Sequence, residues 1–408
     1  MRWSPALFAA LLVAVGVVQP LAVAHATDAL GAGGGSDAAV GSAPRATLTP
    51  PNTTAMLPLP GGARTAFVTP TVALSPALRS QYGDLASGLS RYALDERLAA
   101  ARSPDARRDV LYAALSRASR RVDRLGERER TARGAFANGT VAPDAYVRTL
   151  AELDAASSEF DPLVARVLAA TDNVSETDAV ERRARLLRAD FAVLGGPVRS
   201  HVDRALQGRA ERGRVYVAAT RDGVVLSMVA NGTYVREIYR ADNRDAATGA
   251  TDVGTARDRF TDLYPWAANH SAESLTRRVD ADTFRFTSRH SHGTLVSYLD
   301  GSTSAVYREV QYLSLAAVPT YPAVRSRRSD LSVAVNRTYP GGPLRVRVLE
   351  DGAPVDATVR VNGTVVDRTG EDGVLWTVSP AHEFVVTVSR GDVQLPVIVA
   401  PVRDGSEG

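Results

Sequence analysis

Seven of the eight asparagines in this 408-residue chain stand in Asn-x-Ser/Thr triplets: Asn52, Asn138, Asn173, Asn231, Asn269, Asn336 and Asn362. Only Asn243 does not. Serine and threonine make up 60 of the 408 residues, so eight asparagines placed at random would form about one triplet. The chemistry such a triplet offers is attachment of a sugar to the side-chain amide, which implies a chain outside the cytoplasm with each site on its surface. Turn formation is the competing reading. Asn138-Gly139-Thr140, Asn231-Gly232-Thr233 and Asn362-Gly363-Thr364 are also tight-turn sequences, but the other four triplets lack that glycine.

Other reactive groupings are sparse. Arg289-His290-Ser291-His292 is the local histidine cluster. Two histidines at i and i+2 of a strand face the same way, and a third ligand such as Asp280, Asp282 or His270 would complete a metal site. Asp280 and Asp282 are also spaced to act as paired acid and base in a glycosidase. The same residues read as a polar loop ending at Gly293 and as the polar start of a strand. A Ser/His/Asp hydrolase needs a framed nucleophile, yet there is no Gly-x-Ser-x-Gly, and no lysine to serve as a base. Gly31 to Gly35 has neither a strand before it nor a helix after it, so it is not a phosphate loop. The chain has no cysteine, which excludes disulfides and thiolate metal sites. No catalytic, cofactor-binding or metal residue is therefore assigned, no cofactor is expected, and the chain reads as non-enzymatic. The alternative is an exported hydrolase within 213–320 that uses His290, His292, Asp280 and Asp282.

All 48 basic side chains are arginine, and the net charge is only +3. So small an excess argues against nucleic-acid binding. One predicted helix carries Arg107, Arg108, Arg117, Arg120, Arg121, Arg124, Arg128, Arg130 and Arg133, interleaved with Asp123, Glu127 and Glu129. Such a run is either a solvated face paired at i, i+4 or a contact for an anionic surface.

The elements that must position these groups follow from periodicity. Arg2, the apolar run Ala6 to Val18 and Ala24-His25-Ala26 form a signal peptide over 1–26, which would serve as an anchor if uncleaved. Residues 27–74 are rich in Gly, Ala, Pro and Thr without an apolar period, and read as a disordered linker. Residues 75–212 read as a helical bundle or coiled-coil hairpin. Its apolar seams run through Leu78, Tyr82, Leu85, Leu89 and Tyr92; through Leu111, Leu115, Ala118, Val122 and Leu125; through Tyr146, Leu150, Leu153, Ser157, Phe160, Val164 and Val167; and through Val180, Ala184, Leu187, Phe191 and Leu194. Ser75-Pro76, Ser103-Pro104 and Asp161-Pro162 each place a capping residue before a first-turn proline. Pro162 should split the third helix. Period-two stretches from Val215, with one helix over Thr255 to Trp266, predict a small α+β domain over 213–320 with one antiparallel sheet. A linker follows over 321–329. Seven short strands over 330–402 predict an Ig-like β-sandwich, and 403–408 form a polar tail.

The stretch from Val346 to Val359, with its Gly352-Ala353-Pro354 turn, and the Thr369-Gly370-Glu371-Asp372-Gly373 stretch before Val374 resemble carboxypeptidase-regulatory or transthyretin-like sandwich modules. That resemblance implies adhesion, spacing or binding and brings no catalytic residues. The leader, the lysine-free composition, the sequons and the order of helices, α+β unit and sandwich together resemble haloarchaeal exported multidomain proteins of unknown function. The expected role is thus a binding, adhesion or structural glycoprotein, extracellular or on the outer face of the membrane. Its partner would be a protein or glycan, and the Arg-rich helix offers a contact for an anionic surface. A further alternative is an N-terminally anchored component of a surface complex.

Overall fold

The computed structural model describes residues 52–72, 74–172, 174, 176–245, 251–276 and 283–400. Strand β1 (Arg64–Val68) precedes six helices: α1 (Leu74–Ala100), α2 (Pro104–Ala137), α3 (Pro143–Ser158), α4 (Asp161–Thr171), α5 (Asp178–Ala192) and α6 (Pro197–Leu206). Strands β2 (Val215–Ala219), β3 (Gly223–Ala230) and β4 (Thr233–Arg240) follow. Helices α7 (Val253–Leu263) and α8 (Pro265–His270) come next, and then strands β5 (Ala272–Thr276), β6 (Thr283–His290), β7 (Gly293–Asp300) and β8 (Ala305–Ser314). The C-terminal part holds β9 (Val324–Arg328), β10 (Leu331–Asn336), β11 (Pro343–Glu350), β12 (Ala353–Pro354), β13 (Thr358–Val361), β14 (Thr364–Arg368), β15 (Val374–Val378), β16 (Phe384–Arg390) and β17 (Val393–Val399).

The central sheet is antiparallel throughout, in the order β1-β2-β3-β4-β8-β7-β6-β5. Strand alternation divides its side chains between two cores. Val215, Val217, Ala219, Val224, Leu226 and Met228 share one core with the helices, in which α2 and α6 lie against β2, β3 and β4 and α3 lies against β1. Tyr216, Ala218, Val225, Tyr234 and Ile238 point the other way, onto Phe260, Tyr264, Phe284 and Phe286. Two smaller sheets, β12-β11-β10-β9 with β15 on β11 and β14-β13-β16-β17, close a sandwich with its own core of Val335, Leu344, Val346, Val359, Phe384 and Val386. The two larger units are joined at Gly341, whose carbonyl accepts from Ser227 Oγ and Tyr234 Oη, both at 2.7 Å. A Cβ on Gly341, at φ +74°, would lie 2.6 Å from the Tyr216 ring, so only glycine fits that approach.

Several expectations change. The disordered-linker reading of 27–74 gives way where the structure describes it. Arg64–Val68 pairs with β2 as an edge strand, and Ala55, Met56 and Leu57 are buried against the sheet. A five-residue strand and a three-residue apolar run are too short to show a period. On α1 the expected seam fails at Leu89 and Tyr92, which are 60% and 65% exposed, while Leu94 and Leu98 turn inward. The inward stripe continues through Ser87, whose hydroxyl donates to the Glu159 carbonyl, so a polar residue hides it. The single helix over 255–266 is two helices, because Pro265 cannot continue α7. Chain 321–329 is not all linker: β9 within it pairs with β10. Ser103 caps α2 by accepting from Ala106 N–H, but α4 takes Phe160 as its N-cap, and Asp161 instead pairs with Arg188 at 3.0 Å. The expected leader over 1–26, linker residues 27–51 and the tail over 403–408 lie outside the described residues.

Candidate functional site

Five of the six described sequon asparagines are exposed, and the local backbone explains why. Asn231-Gly232 joins β3 to β4 with φ of 49° and 70°, and Asn362-Gly363 joins β13 to β14 with φ of 49° and 79°. Both dipeptides carry the two left-handed residues of a type I′ hairpin turn. Asn138 ends α2, with Gly139 at φ +82°. Gly139 N–H donates to Phe136 O and Thr140 N–H to Ala135 O, the paired bonds of a Schellman cap. Asn52 precedes the buried 53–57 segment, and Asn269 lies near the end of α8. Asn336 differs: it is half-buried, and its Nδ2 donates to the Tyr321 carbonyl at 3.1 Å. At Asn362 it is the Oδ1 that is engaged, by Val385 N–H at 2.9 Å. Asn173 lies outside the described residues.

The histidines gather around an indole. His290 ends β6, Ser291 and His292 form the turn, and Gly293 opens β7. A Cβ at Gly293 would meet the Tyr312 carbonyl at 1.8 Å, which fixes glycine there. Trp266 of α8 stacks on His270 at 4.8 Å and on His292 at 4.9 Å, and meets His290 edge-on at 5.2 Å. Burial, and then the neighbouring His292, lower the His290 pKa to about 4, so the ring is neutral at pH 7. Burial also lowers that of His292. His290 Nε2 and His292 Nδ1 are buried and make no hydrogen bond. Among the described residues no group of three or more His, Asp or Glu side chains is placed to hold a metal. Asp280 and Asp282 lie outside the described residues.

The arginines of α2 divide into two sets. Arg108 pairs with Asp105 and Glu176, Arg128 with Glu152, Arg130 with Glu127, and the buried Arg133 with Glu129 at 2.7 Å. Arg117, Arg120, Arg121 and Arg124, on neighbouring turns, have no carboxylate partner among the described residues. Burial and the charges of Arg97 and Arg120 lower the pKa of Arg117.

Sequence reading missed the buried charges of the sheet. On β4, Arg236 and Glu237 point to opposite faces, and both are buried. Arg236 pairs with Glu309 of β8. Glu309 also accepts from Leu57 N–H at 2.6 Å and Tyr264 Oη at 2.7 Å, while Arg236 donates to Leu57 O and Gln311 Nε2 to Ala55 O. Burial pushes the Glu309 carboxyl up, and Arg236 and these donors pull it back. On the helix side, Glu237 accepts from Val198 N–H at the start of α6 and pairs with Arg199 at 3.1 Å. Asp154 accepts from Gly196 N–H and Ser200 Oγ. The available signal was a run of charges in mid-strand, Arg236-Glu237, flanked by apolar residues.

A family model described as "Domain of unknown function (DUF7096)" matches residues 1–211, just over half the chain. The chain belongs to that family. A "Family of unknown function (DUF7094)" matches residues 215–319, and an "Archaeal fibronectin-III type-like domain" matches 323–397. The matches agree with an archaeal multidomain protein. The sandwich match is fibronectin-III-like, and the carboxypeptidase-regulatory or transthyretin-like resemblance is not shown. No curated protein or solved structure matches the chain significantly.

Proposed function

We propose that this is an exported glycoprotein of the archaeal cell surface, of the haloarchaeal kind, with a binding, adhesion or structural role. The observation that carries the reading is the placement of the sequons. Asn52, Asn138, Asn231, Asn269 and Asn362 all meet solvent, and they are spread over the helical layer, the sheet and the sandwich. Asparagines selected only for turns would not need a hydroxyl residue two positions on, and Asn52 and Asn269 lie outside the three Asn-Gly turns. In this reading the helices form a bundle that presents the unpaired Arg117, Arg120, Arg121 and Arg124 to an anionic partner. The sandwich serves as an adhesion module or spacer. An uncleaved leader would make the chain an anchored component of a surface complex. Among the described residues no helix is long and apolar enough to cross a membrane. The hydrolase alternative, which would use His290, His292, Asp280 and Asp282, gains less support, because Trp266 stacks on His292 and meets His290 edge-on.

Protease added to intact cells of the native host tests the reading. Peptides of this chain should be released while a cytoplasmic marker stays whole. Cleavage only after lysis would overturn it.

A further inference from the structure

The segment after α6 is built to gather arginines. Gly208 at φ +73° ends the helix, and Arg209 N–H returns to the Arg204 carbonyl at 2.7 Å, which brings those two residues to one corner. Gly213 then passes so close to β3 that a Cβ would lie 2.8 Å from Met228 Cε. Arg212 and Arg214 flank that approach. Together with Arg204 and Arg209 they line a pocket of about 470 Å³, bounded by the β3–β4 turn on one side and the sandwich on the other. This size is within the range of small-molecule sites.

Most arginines described above have a carboxylate or carbonyl partner. None of these four makes a side-chain hydrogen bond or ion pair among the described residues. Arg214 is the most telling. Its guanidinium lies 3.8 Å above the Phe67 ring centroid, and its Nη1 is buried with no acceptor. Burial alone lowers its pKa, to about 10, with no compensating carboxylate. A buried guanidinium nitrogen without an acceptor is costly unless something supplies one. Two acids also line the pocket, Glu211 and Asp367, so arginine outnumbers them two to one. The remaining wall carries Trp376 of β15, Thr69 and Thr377.

We propose that this pocket binds an anionic saccharide, a sugar bearing carboxylate or sulfate. The guanidinium fork of Arg214, with Arg209 and Arg212 beside it, takes the oxyanion. Trp376, whose ring also carries the Arg345 guanidinium at 5.8 Å from its centroid, offers its indole to a sugar ring from the pocket wall, and Asp367 accepts from sugar hydroxyls. A simple oxyanion site would not need an indole or a carboxylate in its wall. The sugar has two conceivable sources. It is either a free or neighbouring glycan or one carried by this chain on Asn231, which lines the same pocket. The inference goes beyond the glycoprotein reading and holds whether or not Asn231 is modified.

The test is calorimetric titration of the full-length protein at fixed salt with three probes: a glucuronic acid trisaccharide, the neutral trisaccharide maltotriose, and sodium sulfate. The glucuronate should bind saturably and tighter than either of the others. Arg214→Gln should weaken it about tenfold or more, the effect of losing one charge-assisted hydrogen bond. Arg204→Gln, at an exposed helix position, provides a second variant that does not threaten folding, and should weaken binding severalfold. Trp376→Leu should reduce glucuronate binding without changing that of sulfate. Thermal melting of each variant separates lost binding from lost fold. If protein from the native host takes up glucuronate only after Asn231→Gln, the occupant is the chain's own glycan. If it binds before that change, the ligand comes from elsewhere. Absence of saturable binding, equal binding of maltotriose or sulfate, or full affinity in both arginine variants would overturn the proposal.

Discussion

At the residue scale the buried charges set the largest expected effects. Glu309 is fully buried and serves Arg236, Tyr264 and Leu57 together. Its replacement by leucine leaves Arg236 charged and unpaired in the interior. Urea denaturation should show a loss of about 3–5 kcal/mol. Adding Arg236→Met should recover much of that, since two apolar groups need no partner. A single variant as stable as the parent would mean that Arg236 finds other acceptors. His290 gives a pH effect of defined sign. Its folded pKa of about 4 lies below the ordinary 6.5, so between those values the unfolded chain holds the proton and the native ring does not. Stability is full above pH 6.5 and falls toward pH 4, by about 1–2 kcal/mol once screening of the half-exposed ring is allowed for. His292 stacks on the same indole, burial lowers its pKa as well, and it adds to the slope with the same sign. His290→Asn should flatten the thermal-melting profile over this window, and an unchanged profile would count against the assignment.

At the element scale, legibility followed pattern length. The seams of α2, α3 and α5 were readable because each spans several turns of apolar residues at 4-3 spacing, and Leu111, Leu150 and Val180 are all fully buried. Strands from Val215 onward were readable by alternation and by their Asn-Gly turns. The segment from Thr53 to Val68 was not, since its burial depends on main-chain clamps from Arg236, Glu309 and Gln311, more than 170 residues away in the chain. No local period reports such a contact. Of the candidate chemistry, the clustering of His290 and His292 was visible, but not Trp266 between the rings, because α8 brings it from 24 residues upstream of His290. Leu57 distinguishes the clamped segment from a linker. At 1% exposure, its replacement by alanine should cost about 2–5 kcal/mol in urea denaturation. A free linker would give no change.

At the scale of the whole molecule, the family boundaries and the physical ones differ. The match over 1–211 includes β1 and the clamped segment, yet β1 is a strand of the sheet formed by 215–319 and the clamped segment is held on that sheet by Arg236, Glu309 and Gln311. The helices and the sheet also share one core, to which Leu111 and Val164 of the helices and Val217 and Leu226 of the sheet all belong. The two matched regions therefore form one packed body, with the fibronectin-III-like sandwich joined to it at Gly341. Six described sequons are distributed over this body, and only Asn336 has its amide nitrogen engaged by a backbone carbonyl. We propose that these asparagines carry sugar on an exported chain. Intact-mass and glycopeptide analysis of the protein purified from its native host tests it most directly. Glycan mass is expected on several of Asn52, Asn138, Asn231, Asn269 and Asn362, and least at Asn336. A mass equal to that of the bare polypeptide, with every sequon peptide unmodified, would contradict it.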